Sequence, residues 1–169
     1  MSSDTPASML KIAFRPLPRS SEPLKPKRLL DWLPELTALR VLFCSDNAFT
    51  ELPEVVGACL SLSMVGFKSN RIQHVPAASL PVHLRWLILT GNEIETLPDA
   101  LGHRPALEKV ALAGNRLQAL PDSMAACERL ALLRLSANRF ERLPDWLWHL
   151  PSLSWLAIAG NPLTTEMER

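Results

Sequence analysis

At 169 residues and 47% apolar content the chain suffices for one domain with a buried core. Its net charge of +1 is unevenly spread: residues 1–30 carry six basic against two acidic residues, +4, and the remainder twelve against fifteen, −3. That remainder lacks the basic excess of a nucleic-acid binder, and no apolar run is long enough to cross a membrane.

Residues 1–28 hold five prolines, at 6, 16, 18, 23 and 26, with Ser and Lys/Arg between them. Proline fixes φ and removes a backbone donor, so this segment reads as a basic, solvated, disordered arm. An anchoring or targeting arm is the alternative. The short MLKIAF stretch, broken by Lys11, is no secretory core.

Residues 29–42, LLDWLPELTALRVL, align without gaps on 143–156, LPDWLWHLPSLSWL, so Trp32 matches Trp146 and Leu33 matches Leu147. The chain therefore enters a repeat halfway, through a half repeat at 29–38 whose front half is missing. Full repeats follow at 39–61, 62–83, 84–106, 107–129 and 130–152, with a last half repeat at 153–163. The fourth, LEKVALAGNRLQALPDSMAACER, shows the frame: L-x-x-L-x-L-x-x-N-x-L-x-x-L-P. The only asparagines in the chain, Asn47, Asn70, Asn92, Asn115, Asn138 and Asn161, stand at steps of 23, 22, 23, 23 and 23.

Within L-x-x-L-x-L the leucine phases alternate with outward ones, the period-2 pattern of a half-buried strand. Identical units joined by crossovers give parallel strands, here about six. The Asn after each strand stands where the chain turns inward, and its carboxamide can satisfy the backbone groups the turn buries. The second half of most repeats opens Leu-Pro-acid, as at Pro98-Asp99 and Pro121-Asp122. Proline at the first helical position with an acid in the first turn predicts short helices or 3₁₀ turns on the outer side. The second repeat, with Pro76 and Pro81 in 22 residues, predicts an extended connection instead. Trp146 and Trp148 fall on this convex side and are expected to pack between repeats.

A fixed period of this length with this Leu/Asn pattern is the signature of a leucine-rich-repeat solenoid, an α/β horseshoe with a parallel concave sheet. The frame resembles intracellular leucine-rich-repeat proteins of the Leu-Pro type. Segments 39–55, 84–98 and 142–162 look like the repeat segment of bacterial leucine-rich-repeat protein kinases. In that family the kinase domain follows the repeats, and this chain reaches Arg169 where one would begin. The resemblance thus implies a regulatory or substrate-recruiting module rather than kinase activity, and carries over no catalytic residue.

No Gly-rich phosphate loop, H-E-x-x-H or C-x-x-C occurs, and kinase signatures are absent. His74, His83, His103 and His149 share no repeat phase. Neither an enzyme, nor a metal site, nor a cofactor is expected. Cys44, Cys59 and Cys127 occupy inward phases, are odd in number and read as buried thiols of a cytoplasmic chain without N-x-S/T acceptors.

The outward x positions form the concave face. The third row is Val41, Met64, Trp86, Lys109, Leu132, Trp155; the fifth is Phe43, Gly66, Ile88, Ala111, Arg134, Ala157. Exposed apolar area on this scale marks a partner site. Phe43, Met64, Trp86, Ile88, Lys109, Leu132, Arg134 and Trp155 are the candidate protein-binding residues. Two other readings stand beside this one: the face packs on itself, or the N-terminal arm folds over it.

Three functions compete: a stand-alone interaction module with a protein partner, the recruiting part of a split or truncated kinase, and an uncapped remnant. Neither end supplies an obvious capping repeat. The last strand, LSWLAI at 153–158, has no charge, so self-association through the solenoid ends is expected.

Overall fold

A computed structural model of the protein describes residues 8–11 and 30–163. Its centre is one parallel sheet with strands in chain order: β1 Met9–Lys11, β2 Val41–Phe43, β3 Met64–Gly66, β4 Trp86–Ile88, β5 Lys109–Ala111, β6 Leu132–Arg134 and β7 Trp155–Ala157. The middle residue of β2 to β6 is buried while its flanks face outward, because the leucine phases of the repeat must all reach one core. Leu39, Leu62, Leu84, Leu107 and Leu130 open successive repeats and are all fully or almost fully buried.

Seven strands stand where about six were expected. β1 lies inside the stretch read as a disordered arm, and residues 8–11 correct that reading. Leu10 takes the inward phase and packs on the core. Met9 pairs with Val41, and the Arg40 N–H donates to the Ser8 carbonyl at 3.0 Å, so the flank of β2 is not left unpaired. The prolines that argued against a strand, Pro6 and Pro16, fall outside these four residues. Met9 precedes its partner Val41 by 32 positions rather than 22 or 23, and a fixed period therefore could not find it. Residues 1–7, the rest of the arm at 12–29 and residues 164–169 lie outside the described residues.

The outer side carries 3₁₀ turns at Leu33–Glu35, Glu54–Ala58, Ala77–Ser79, Asp99–His103, Asp122–Ala126 and Asp145–His149. Proline stands one place earlier than expected in the last five. It is the flanking residue with extended ψ, as in Pro53 at 133° and Pro98 at 147°, and the residue after it opens the turn. The second repeat also turns, contrary to the extended connection expected of its two prolines, but for three residues rather than five. Ser79 occupies its buried phase, its hydroxyl satisfied by the Pro76 carbonyl at 2.6 Å. Trp146 packs partly against the core and its indole N–H donates to Asp122 of the preceding repeat at 3.3 Å. Trp148 is 64% exposed and does not pack as expected, because the turn aims its neighbour Leu147 inward instead. Trp32 is exposed as well.

The asparagines form a continuous internal ladder. Asn115 accepts from the Ile94 N–H at 3.1 Å and donates to the carbonyls of Leu89 at 3.0 Å and Leu112 at 2.9 Å. Asn70, Asn92, Asn138 and Asn161 repeat that set, each tying its own strand end to the one before. Carbonyls are shared: Leu89 receives both Asn92 and Asn115, Leu112 both Asn115 and Asn138. These five asparagines are buried and Asn47, the first rung, is half-buried. The residue before every rung has a left-handed backbone, Gly91, Gly114 and Gly160 but also Asp46, Ser69 and Ala137. That sharp turn aims each carboxamide into the core.

Candidate functional site

The concave rows expected from the repeat phase are the rows the sheet makes. Val41, Met64, Trp86, Lys109, Leu132 and Trp155 are neighbours in register across β2 to β7, as are Phe43, Gly66, Ile88, Ala111, Arg134 and Ala157. Every strand places its third and fifth repeat positions on one surface because its fourth is committed to the core. Met64, Trp86, Ile88, Lys109 and Leu132 are half-buried, and Arg134 and Trp155 are exposed. Trp155 is the most open large apolar side chain on the face, at 57%.

Phe43 behaves differently from its row. Its ring lies across the strand gap over Gly66, where an added Cβ would stand 2.4 Å from the ring. Glycine at 66 gives that ring a place to settle, so Phe43 and Gly66 make a flat apolar floor. Behind it Phe67, buried on the other side of β3, meets Phe49 edge-on at 5.1 Å.

The polar groups are concentrated at β4 to β6. The Lys109 ammonium sits 3.9 Å above the Trp86 ring, a cation–π contact across neighbouring strands. Arg85 donates to both carboxylate oxygens of Glu108 through Nε and Nη2, at 2.9 to 3.2 Å. Hydrogen bonding to Arg85 holds the Glu108 carboxyl below the usual carboxylate range, against the opposing effect of desolvation. The Trp86 indole N–H faces the same carboxylate and adds a smaller downward push, yet it misses hydrogen-bond geometry and is buried without an acceptor. The expected site omitted the Arg85–Glu108 pair. Its signal was the second row, Arg40, Ser63, Arg85, Glu108, Ala131, Ser154, where an acid follows a base in adjacent repeats.

His74, His83, His103 and His149 are exposed and spread over three repeats. Among the described residues no group of three or more His, Cys, Asp or Glu side chains could hold a metal ion. Cys44, Cys59 and Cys127 are buried free thiols, and burial pushes Cys44 up to about 12. An open hollow of about 450 Å³ lies away from the sheet rows, lined by Gln118, Arg139, Glu141 and Arg142. Among the described residues no helix is long and apolar enough to cross a membrane.

A family model described as leucine rich repeat matches residues 105–163, and a second of the same description matches 83–103. The chain is a leucine-rich-repeat solenoid. No curated protein matches its sequence. Among solved structures, one titled as a TLR13–ssRNA13 complex shares this leucine-rich-repeat fold at a TM-score of 0.63 and 21% identity. The match covers 74% of this chain and 19% of that one. The leucine-rich-repeat protein LIC12759 of Leptospira interrogans aligns at a TM-score of 0.58 and 25% identity, over 76% of this chain and 39% of its own. The leucine-rich repeats described here thus span well under half the length of either structure.

Proposed function

We propose that this chain is a non-catalytic interaction module that binds a protein partner through its concave sheet. Phe43, Met64, Trp86, Ile88, Lys109, Leu132, Arg134 and Trp155 are its contact residues. The observation that carries the reading is the unbroken row Met64–Trp86–Lys109–Leu132–Trp155, in register and open on one side. Large aromatic side chains with few rotatable bonds lose little side-chain entropy on binding, which makes Trp86 and Trp155 the expected anchors. Leucine-rich repeats in general mediate protein–protein contacts, which agrees with this use of the surface. Captured partners compared between the wild type and the Trp86→Ala/Trp155→Ala variant test it. Partners should be lost from the variant while its circular dichroism is unchanged; an unaltered set of partners refutes the assignment.

The resemblance to the repeat segment of leucine-rich-repeat kinases makes a kinase one partner class for such a module, which would then recruit or regulate. Three buried free thiols suit a reducing, cytoplasmic setting. A second contact has its own observation. Leu153, Leu156 and Ile158 are only half-buried where their counterparts in earlier repeats are fully buried, and β7 has one unpaired flank within the described sheet. Such an edge pairs with another chain, a second copy included. Light scattering that shows only monomer at high concentration would refute that contact.

A further inference from the structure

The concave sheet is apolar without being neutral. Among the described residues, its second, third and fifth rows, extended by β1, and the next outward row, that of Lys68, hold six cations (Lys11, Arg40, Lys68, Arg85, Lys109 and Arg134) and a single acid, Glu108. Glu108 is already spent on Arg85. Lys68, Lys109 and Arg134 have no carboxylate partner among the described residues, where the ion pairs are Arg85–Glu108 and Arg116–Glu93. Yet residues 31–169 carry twelve bases against fifteen acids, so this surface is opposite in sign to the solenoid that bears it. Many of the acids stand on the far side, opening the 3₁₀ turns at Glu54, Asp99, Asp122 and Asp145.

We propose that the concave face takes an acidic, apolar-punctuated segment of a partner polypeptide. Carboxylates would settle on Lys109 and Arg134, and apolar side chains between them on Trp86, Leu132 and Trp155. This rests on the reading of that face as a protein-binding surface and adds the chemistry of what it binds. Neighbouring strands lie about 4.8 Å apart and residues two apart on a strand about 6.6 Å, which puts Lys109 and Arg134 roughly 8 Å from each other on the diagonal. An extended segment presents alternate side chains at a comparable spacing. Opposite charge steers such a segment to the face, while the half-buried aliphatic and aromatic floor supplies its affinity.

Charge weighs against one competitor and the spacing of the cations against another. Residues 12–29 of this chain carry five bases against Glu22, the sign of the face itself, so electrostatics oppose coverage by that arm. A single-stranded nucleic acid would find aromatic platforms but needs a basic groove that tracks its backbone. Lys68, Lys109 and Arg134 are instead set apart among Ile88, Ala111 and Leu132.

A random dodecapeptide library selected on the full chain tests the proposal, followed by fluorescence anisotropy with the synthesised winners. Winners should be rich in Asp and Glu interspersed with aliphatic or aromatic residues. Their affinity should fall at least about tenfold in Lys109→Glu/Arg134→Glu, whose fold is checked by circular dichroism, and several-fold between about 50 and about 500 mM salt. Neutral or basic winners, an empty selection, or tighter binding of oligouridylate RNA than of any peptide would overturn it. Winners lost in Trp86→Ala/Trp155→Ala but untouched by charge reversal would remove the acidic preference and leave the concave site standing. Winners indifferent to both variants would remove the two readings together.

Discussion

Replacing Asn115 by alanine isolates what the ladder contributes. The carboxamide makes three hydrogen bonds at 2.9 to 3.1 Å, and the residue is 7% exposed. The losses are unequal. The Leu89 carbonyl keeps Asn92 and the Leu112 carbonyl keeps Asn138, so both remain partly satisfied. The Ile94 N–H, buried in the core, loses its acceptor. An orphaned buried donor costs about 1–3 kcal/mol, and the weakened carbonyls place the expected loss in the upper half of that range. With a urea dependence of about 1–3 kcal/mol per molar, the unfolding midpoint should drop by about 1 M. Equilibrium unfolding followed by circular dichroism reads this directly. Adding Asn92→Ala strips both donors from the Leu89 carbonyl, so the double variant should lose more than the sum of the singles by at least about 0.5 kcal/mol. An unchanged midpoint for Asn115→Ala, or strict additivity in the pair, would refute the shared-carbonyl reasoning.

Ala137 holds φ of +52°, a conformation that costs an L-residue roughly 1–2 kcal/mol. Ala137→Gly should therefore raise the midpoint slightly despite glycine's greater unfolded-state entropy, whereas Gly114→Ala, at φ +68°, should lower it. Gly66→Ala drives a methyl into the Phe43 ring and should destabilise by about 1–3 kcal/mol, with much of that recovered in Gly66→Ala/Phe43→Ala. Cys44 should resist a thiol reagent at pH 8 in the native state and react on unfolding, because burial raises its pKa to about 12; a rapid native-state reaction would contradict its burial. Arg85→Ala should return the Glu108 carboxyl upward toward the ordinary carboxylate range, readable in an NMR titration, and no shift would detach that residue from the pair.

Most of the solenoid was legible because one period fixes every element at once. A phase shift of one residue would turn Leu42, Val110 and Leu133 out of the core, so rows read from the sequence are the rows the sheet must make. What escaped the period were features carried by neighbours rather than phase. β1 lies 32 positions before its partner in β2 instead of one period, and it could be inferred only from the need of β2 for a pairing partner. The left-handed turn before each Asn is spelled by glycine in Gly91, Gly114 and Gly160, but Asp46, Ser69 and Ala137 hide it. Trp148 shows the converse error: its apolar type argued for packing, while the turn geometry around Leu147 put it in water.

The ladder and the concave face are one device seen from two sides. Each asparagine ties the end of its strand to the end of the one before, and so sets how far neighbouring strands can slide. The spacing of Trp86, Lys109, Leu132 and Trp155 is therefore fixed from inside the core, at rungs that never touch a partner. At the last rung the restraint thins. Asn161 still donates to Leu135 and Ile158, but Leu153, Leu156 and Ile158 are only half-buried. Amide exchange should accordingly be slowest in β4 and β5 and fastest in β7, and binding that engages Trp155 should slow β7 more than any other strand. Uniform protection across β2 to β7 in the free protein would mean that β7 is as well supported as the middle of the sheet, and Trp155 would then be a preformed anchor rather than one that ordering completes.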